Sequence, residues 1–191
     1  MVSMVAGVET HRWPDGVGGE WTVEMLDLLP EDNLRYELLD GTLLVTPAPA
    51  PLHQIVAANL FRALDAVVPD DHAVLFAPLD WRPDGRTALE PDLMVIRKNY
   101  LGGQRVSQAP TLVVEVLSPS SARIDRLLKF SRYAEGGIGQ YWIVDPAVPA
   151  IEVYELVDGE YVLLARGQGA EAVAVTSPLT LSVVPDDVVA I

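Results

Sequence analysis

The sequence predicts an α/β protein, or more narrowly an α+β protein, with a central mixed β-sheet flanked by helices and additional β-hairpins. Segments with helical spacing alternate with short apolar segments typical of strands. Two Asp-Gly pairs, at Asp40 and Asp158, each lie between strand-like segments. Half of the residues are apolar, which is enough to bury a core. We expect an N-terminal tail over residues 1–20 and a single domain over residues 21–191.

The first elements are a short helix and a hairpin. Residues 22–29 have helical spacing, with Thr22 as the N-cap and Pro30 just after the end. Asp40-Gly41 is the two-residue pair that favours a tight hairpin turn, here between strands over residues 35–39 and 42–46.

A long helix and three strand-like segments follow a proline-rich link. Apolar residues fall near one face of a helix over residues 53–67. The strand-like segments after this helix cover residues 72–82, 92–97 and 112–117.

The second half of the domain begins with another helix, over residues 119–135. Ser118 is placed to cap it, Pro119 suits the first helical position, and Gly136-Gly137 ends it. The next elements are a strand over residues 140–144 and a second hairpin around Asp158-Gly159, between residues 151–157 and 161–164. The remainder alternates weakly, and we expect it to complete an edge of the sheet.

Charge and cysteine content exclude several functions. Thirteen basic and 27 acidic residues give a net charge of −14, which rules out a basic nucleic-acid coat protein or a membrane-surface binder. Nine of the basic residues fall within residues 82–132, beside only five acidic ones. This run forms a local basic surface if its members fold together, although a chance cluster on a solvated face fits equally well. The absence of cysteine excludes disulfides, thiol nucleophiles and cysteine-bound metals.

The sequence also bears on location and assembly. No apolar run approaches the roughly 18 residues that would suggest a membrane span. The short apolar run near the N-terminus has no basic leader before it, so we expect no signal peptide and a cytoplasmic protein. Apolar edge strands and the second hairpin favour self-association, and we expect a homodimer.

Two carboxylates stand out because they interrupt apolar strands. Glu115 lies within a continuously apolar segment, and Asp92 follows Pro91 at the start of another. Strand periodicity places Asp92 on the face of Met94, and Glu115 on the face of Val113. If the strands are neighbours, the carboxylates converge, and a divalent cation or a shared proton would relieve their repulsion. The alternatives for Glu115 are a structural ion pair with an arginine, or a strand end that reaches water.

Lys129 is the third candidate. It falls at i+4 from Asp125, with Arg132 at i+7, so that the three form a polar stripe on the second long helix. One interpretation is a solvent-facing Asp125–Lys129 pair worth only tenths of a kcal/mol. The other is that Lys129 points towards the metal site, where it orients a water molecule and stabilises charge on a phosphate.

The remaining polar and aromatic candidates have ordinary structural explanations. His53 opens the first long helix, where it is either a site residue or a cap or surface group. We assign three aromatic residues to the core or a subunit contact rather than to base stacking. They are Trp81, Tyr141 and Trp142.

These residues together resemble the PD-(D/E)XK nuclease superfamily. Within it, four phrases resemble a bacterial family described as "putative restriction endonuclease", with a domain of unknown function, and the resemblance spans about residues 22–154. The phrases are Tyr36-Glu37-Leu38-Leu39-Asp40-Gly41, Pro91-Asp92-Leu93, Val114-Glu115-Val116-Leu117-Ser118-Pro119-Ser120 and Tyr141-Trp142-Ile143-Val144-Asp145-Pro146.

The resemblance implies a restriction-endonuclease-like core in which Asp92 and Glu115 bind Mg²⁺ or Mn²⁺, together with the carbonyl of Val116. The superfamily has a lysine two residues after the second acid, but this chain has Leu117 there. In members of the family that the chain resembles, the amine comes from the next helix, which implies Lys129. Glu37 matches an early acidic position and would hold a second metal through water; alternatively, it pairs with Arg35 or solvates the hairpin.

The hypothesis is therefore Mg²⁺-dependent hydrolysis of DNA phosphodiester bonds, with catalytic Asp92, Glu115, Lys129 and Glu37. The basic run over residues 82–132 would contact phosphates, although the net charge predicts weak binding. The alternative is a catalytically silent dimeric binding or regulatory protein on the same scaffold. A two-carboxylate glycosidase is disfavoured because such clefts are aromatic-rich and only 7% of this chain is aromatic.

Overall fold

A central mixed sheet with helices on its faces forms the core of the computed structural model, which confirms the predicted fold class. The structure describes residues 3–5, 8–10, 20–30, 34–103, 105–119 and 121–190. Much of the predicted tail, residues 1–20, lies outside the described residues. The division into a tail and one domain stays a prediction.

The helices are α1 (Val23–Leu26), α2 (Pro51–Asp65), α3 (Phe130–Glu135) and α4 (Pro185–Val189), with a π-helical segment (Ile124–Lys129) running directly into α3. The strands before α3 are β1 (Ser3–Val5), β2 (Val8–Thr10), β3 (Leu34–Leu39), β4 (Thr42–Pro47), β5 (His72–Phe76), β6 (Trp81–Asp84), β7 (Thr87–Leu89), β8 (Leu93–Arg97) and β9 (Leu112–Val116). Those after it are β10 (Gln140–Asp145), β11 (Ala150–Val157), β12 (Glu160–Gln168), β13 (Val173–Val175) and β14 (Leu181–Val183).

The main sheet has the strand order β12-β11-β10-β9-β8-β5. The pair β9–β10 is parallel and the other neighbours are antiparallel. A parallel pair needs a crossover connection, and the π-helical segment with α3 supplies it. The end of β9 therefore leads directly into the helix that carries Lys129.

A second sheet, β1-β2-β4-β3-β7-β6, carries the first hairpin. Asp40 and Gly41 have φ of 49° and 80°, and Asp158 and Gly159 have 51° and 86°. Positive φ at both central residues is the geometry that makes Asp-Gly favourable in a two-residue hairpin. Both predicted hairpins are confirmed.

The main sheet is buried on both faces. Val56, Leu60 and Leu64 of α2 pack on one face, against a cluster that includes Leu93 and Val114. The other face carries Met94, Ile96 and Val113, which pack with Trp81 and Tyr133. This second face is the one that periodicity assigned to Asp92 and Glu115.

Several element boundaries differ from the predictions. Residues 72–82 form two strands, because Trp81 pairs with Leu89 of β7 instead of continuing β5. The sequence analysis missed β7, β1 and β2, each of three residues. The C-terminal remainder does not complete an edge of the main sheet: β13 and β14 pair with each other, and α4 contacts α2.

The helices show smaller differences. α1 ends at Leu26, earlier than the predicted Leu29, and α2 begins at Pro51, where proline suits the first helical turn. The predicted helix 119–135 is not regular, since residues 124–129 are π-helical. No helix in the described part of the chain is long and apolar enough to cross a membrane.

Candidate functional site

The register between β8 and β9 brings the two predicted carboxylates together. Leu93 lies opposite Val114 in this antiparallel pair, so one further step places Asp92 opposite Glu115, on the same face of the sheet. Both side chains are buried and line one cavity of about 220 Å³, which we call the acidic cavity. The expected convergence of the two acids is therefore present.

Asp92 is held by contacts from three directions. Its Oδ2 accepts a hydrogen bond from the backbone N–H of Val116 at 2.8 Å and lies 3.0 Å from Nε2 of His53. Its Oδ1 accepts a hydrogen bond from Arg35 at 3.2 Å. Burial raises the pKa of Asp92, but the contacts with His53 and Arg35 outweigh burial and lower the pKa. Asp92 is therefore a fixed, ionised carboxylate.

Glu115 is paired with Lys129, which agrees with the interpretation in which Lys129 points towards the predicted metal site. Lys129 Nζ lies 2.9 Å from Glu115 Oε1, and the hydroxyl of Tyr133 donates to the same oxygen at 2.7 Å. Both contacts use Oε1, so neither occupies the second carboxylate oxygen. Burial raises the pKa of Glu115 to about 8, and the charge of Lys129 only partly offsets this effect.

Glu37 joins the same cluster. Its Oε1 accepts hydrogen bonds from Lys129 at 2.9 Å and from the backbone N–H of Glu90 at 2.9 Å. Arg35 lies 3.4 Å from the same oxygen. The predicted pairing with Arg35 is present, whereas solvation of the hairpin is not, because Glu37 is buried. The charges of Arg35 and Lys129 overcome the effect of burial and lower the pKa of Glu37.

The helix after β9 buries its polar stripe and exposes its leucines. Asp125 and Lys129 are 1% and 2% exposed, whereas Leu127 and Leu128 are 56% and 48% exposed. The solvent-facing Asp125–Lys129 pair is therefore wrong: the two groups lie 3.5 Å apart in the interior. π-Helical turns are rare and occur frequently at functional sites, and this one carries both residues.

Asp125 completes the carboxylate cluster. Its Oδ1 is buried and has no hydrogen-bond partner within the described residues, and burial raises its pKa. The acidic cavity is thus lined by four carboxylates (Glu37, Asp92, Glu115 and Asp125) against two permanent cations (Arg35 and Lys129). Burial favours the protonated forms of Glu115 and Asp125, so a divalent cation that bound here would displace those protons and neutralise the two carboxylates.

The donor set suits a hard cation, but the carboxylates are engaged by protein groups. Carboxylate oxygens and a nearby carbonyl are ligands that Mg²⁺ and Mn²⁺ prefer. Across the described ranges, no group of three or more histidine, aspartate and glutamate side chains is arranged to hold a metal ion. Arg35, His53 and Lys129 contact the acids instead. Metal binding therefore stays a prediction.

The structure does not gather the basic run 82–132 into an open surface. Seven of its nine basic side chains lie within 4 Å of a carboxylate of the chain, which contradicts the expected basic patch. They are Arg82, Arg86, Arg97, Arg105, Arg126, Lys129 and Arg132. Charges that are already paired contribute little to phosphate binding.

Other predicted candidates are also placed by the structure. Trp81, Tyr141 and Trp142 are fully buried, so none of them can stack on a base. The sequence did not decide whether His53 is a site residue, a cap or a surface group. In the structure His53 contacts Asp92 in the acidic cavity. Leu117, where the superfamily has lysine, packs in the core with Met94 and Val113.

Three residues of the site were missed or undervalued by sequence reasoning. Arg35 was considered only as a partner of Glu37, yet it also contacts Asp92, 57 residues away. Tyr133 was not singled out, although its spacing of four from Lys129 places both on one helix face. Asp125 was considered only as a surface partner. The sequence feature that could have identified Asp125 and Tyr133 as site residues is that they share this helix face with Lys129.

Two strand-borne acids, a lysine from the following helix and a mixed sheet define a restriction-endonuclease-like member of the PD-(D/E)XK superfamily. The family model described as "Putative restriction endonuclease", Uma2, matches residues 23–184, and the chain belongs to this family. An "Uncharacterized protein sll1609" from Synechocystis is 26% identical over 144 residues, covering 72% of this chain and 81% of that protein.

A solved structure supports the fold. The crystal structure of "a putative nuclease belonging to DUF820" from Anabaena variabilis superimposes with a TM-score of 0.71 at 20% sequence identity. The match covers 88% of this chain and 99% of that one. At this identity the likeness shows that the two chains share a fold.

Proposed function

We propose that this protein is a divalent-cation-dependent nuclease that hydrolyses DNA phosphodiester bonds. The observation that supports the proposal most strongly is the acidic cavity, where four carboxylates and two permanent cations among the described residues line about 220 Å³ at the junction of β8, β9 and the following helix. Keeping four acidic groups in the interior is costly unless some are protonated or a cation neutralises them. Membership of the putative restriction endonuclease family supports the same assignment.

Asp92 and Glu115 would hold the cation, with the carbonyl of Val116 as a further ligand and Glu37 as a candidate to hold a second cation through water. Bound Mg²⁺ or Mn²⁺ supplies a more acidic water molecule and polarises a phosphate oxygen. Arg35 and His53 fix the carboxylate of Asp92, and Tyr133 fixes that of Glu115. These contacts hold the two acids in place before a ligand arrives.

Lys129 would orient the attacking water molecule and stabilise charge that develops on the phosphate. Its ammonium has three N–H donors, and hydrogen bonds to Glu37 and Glu115 use two of them. The third is not committed to Asp125, whose Oδ1 is 3.5 Å away and makes no hydrogen bond with any residue that the structure describes. One donor therefore remains for a water molecule or a phosphate oxygen in the acidic cavity.

Nicking of supercoiled plasmid DNA in Mg²⁺ or Mn²⁺ tests this function. We expect wild-type protein to nick DNA and EDTA to stop it. Asp92→Asn and Glu115→Gln should abolish nicking, and Lys129→Ala should lower the rate by orders of magnitude. Glu155→Gln, which changes a glutamate of β11 outside the acidic cavity, is the matched control and should remain active. Cleavage that persists in Asp92→Asn would remove the mechanism.

The alternative of a catalytically silent binding protein is favoured by one observation. Each oxygen of Asp92 already has a contact from the chain, and Lys129 already pairs with Glu115, so these groups stabilise the fold without a metal ion. Calorimetric titration with Mn²⁺ separates the two cases. Heat that saturates at millimolar Mn²⁺ and disappears in Glu115→Gln supports the nuclease, whereas no heat at these concentrations supports the silent scaffold.

We also propose that two copies associate through β12. This edge strand of the main sheet exposes Val162, Leu163 and Leu164 by 54%, 50% and 46%. An exposed apolar edge strand favours pairing with another strand, and a two-fold axis would pair β12 with its own copy. Sedimentation should show a dimer that Leu163→Lys dissociates; a wild-type monomer at micromolar concentration would exclude this arrangement.

A further inference from the structure

A second cavity begins at Asp92 and extends away from the acidic cavity. Its volume is about 440 Å³, within the range of small-molecule pockets, and it lies between α2 and the end of β5. We call it the α2 pocket. His53 and Asp92 line both cavities, so the α2 pocket and the acidic cavity adjoin at these two residues.

Two phenylalanines form the aromatic part of the lining of the α2 pocket. Phe76, the last residue of β5, lies opposite Leu93 and therefore one residue from Asp92. It is 62% exposed, which is unusual for so large an apolar side chain. Phe61 of α2 meets it edge to face, with ring centroids 5.5 Å apart and an interplanar angle of 89°. An edge-to-face pair leaves ring faces available for a further stacking partner.

Polar groups complete the lining. Gln54 is exposed on α2, and its amide can donate and accept hydrogen bonds. The guanidinium of Arg62 donates to Asn59 Oδ1 at 2.8 Å and, in the described part of the chain, forms no ion pair with a carboxylate. The α2 pocket thus combines stacking surface, an amide and an available cation.

The net charge of the chain limits how a nucleic acid could bind. Phosphate neutralisation dominates the affinity of most nucleic-acid-binding proteins, but this chain has a net charge of −14 and most cations of its basic run are paired. Affinity for a nucleic acid must therefore come largely from contacts that do not depend on phosphate charge. Stacking of a base on an aromatic side chain is one such contact and contributes about 1–3 kcal/mol per base.

We propose that the α2 pocket holds one unstacked base next to the phosphate bound in the acidic cavity. The substrate class is then single-stranded or locally unpaired nucleic acid, because a base within an intact duplex cannot enter a pocket. This inference rests on the proposed nuclease function, and it assigns the substrate preference to Phe76, Phe61, Gln54 and Arg62.

Fluorescence anisotropy with two labelled nucleic acids tests the proposal: a single strand and a blunt-ended duplex of that strand with its full complement. The measurement is made twice, with wild-type protein in Ca²⁺ and with the Glu115→Gln variant in Mg²⁺. The result therefore does not depend on whether that variant folds. We expect the single strand to bind about tenfold more tightly than the duplex. Phe76→Ala should weaken single-strand binding about tenfold and change duplex binding less than twofold.

Matched variants separate stacking from general effects. Phe76→Trp should keep single-strand affinity, because indole also stacks, whereas Phe76→Leu should lose it while keeping apolar area. Tyr100→Ala removes an exposed aromatic residue beyond the opposite end of β8 and should have no effect. Equal affinity for both oligonucleotides, binding to neither, or equal losses in Phe76→Ala and Tyr100→Ala would overturn the proposal.

The plasmid-nicking assay distinguishes failure of this inference from failure of the proposed function. Metal-dependent nicking without any effect of Phe76→Ala on binding overturns the base pocket and leaves the nuclease. Phe76-dependent single-strand binding without cleavage supports the base pocket and removes the nuclease.

Discussion

Replacing Lys129 with methionine removes the ammonium on which the acidic cavity depends and keeps the unbranched side-chain stem. Lys129 is 2% exposed, and its Nζ lies 2.9 Å from both Glu37 and Glu115. The variant therefore leaves buried carboxylates without their main partner. Breaking a buried ion pair in this way costs about 3–5 kcal/mol. We expect the free energy of unfolding in EDTA to fall by this amount.

Mg²⁺ should restore part of the lost stability. A cation present at 100 times its Kd adds about 2.7 kcal/mol to the folded state. Removing the ammonium also removes a competing charge, and two charges 4 Å apart interact by about 4 kcal/mol at an effective dielectric constant of 20. The Lys129→Met variant should therefore gain at least about 1 kcal/mol more from Mg²⁺ than the wild-type protein gains.

Urea unfolding followed by tryptophan fluorescence, with EDTA or Mg²⁺, measures both effects. Lys98, the other of the two lysines, is exposed, so Lys98→Met is the matched control and should change stability by less than about 0.5 kcal/mol. The reasoning is refuted if Lys129→Met unfolds at the wild-type urea concentration in EDTA, or if Mg²⁺ stabilises the wild-type protein more than the variant.

Three further perturbations test other parts of the structure. Tyr133→Phe removes the hydroxyl that donates to Glu115 at 2.7 Å, and should lower the free energy of unfolding by about 1.5–3 kcal/mol; a loss below 0.5 kcal/mol would contradict this contact. Gly136→Ala should destabilise by about 1–3 kcal/mol or more in thermal unfolding, because the new methyl group would overlap the buried ring of Trp81. Leu127→Gln should change stability by less than about 0.5 kcal/mol; a core-sized loss would mean that this leucine is covered.

Much of the sheet and its two acids could be predicted from the sequence. The Asp-Gly pairs locate both hairpins because few residues adopt positive φ at two successive positions. Asp92 and Glu115 could be paired because each interrupts an apolar strand, and strand periodicity assigns the face on which each lies. β1, β2 and β7 were missed because a strand of three residues has too short a pattern to detect.

The helix after β9 shows why the rest of the site was not predictable. Leu127 and Leu128 look like the buried side of an amphipathic helix, yet they are exposed while Asp125 and Lys129 are buried. The polar side is stabilised by acids from β3 and β9, and such partners distant in the chain leave no local signal. The basic surface of residues 82–132 was wrongly predicted for the same reason. The acidic partners of these residues, such as Asp27 for Arg82, lie elsewhere in the chain.

The central claim is that the carboxylate cluster of the acidic cavity is a cation site. Anomalous diffraction from a crystal soaked in millimolar Mn²⁺ tests it most directly. We expect a peak between the carboxylates of Asp92 and Glu115, and loss of that peak in Glu115→Gln. A cavity without a peak, in a crystal where Mn²⁺ is seen bound elsewhere, would show that the carboxylate cluster is not a cation site.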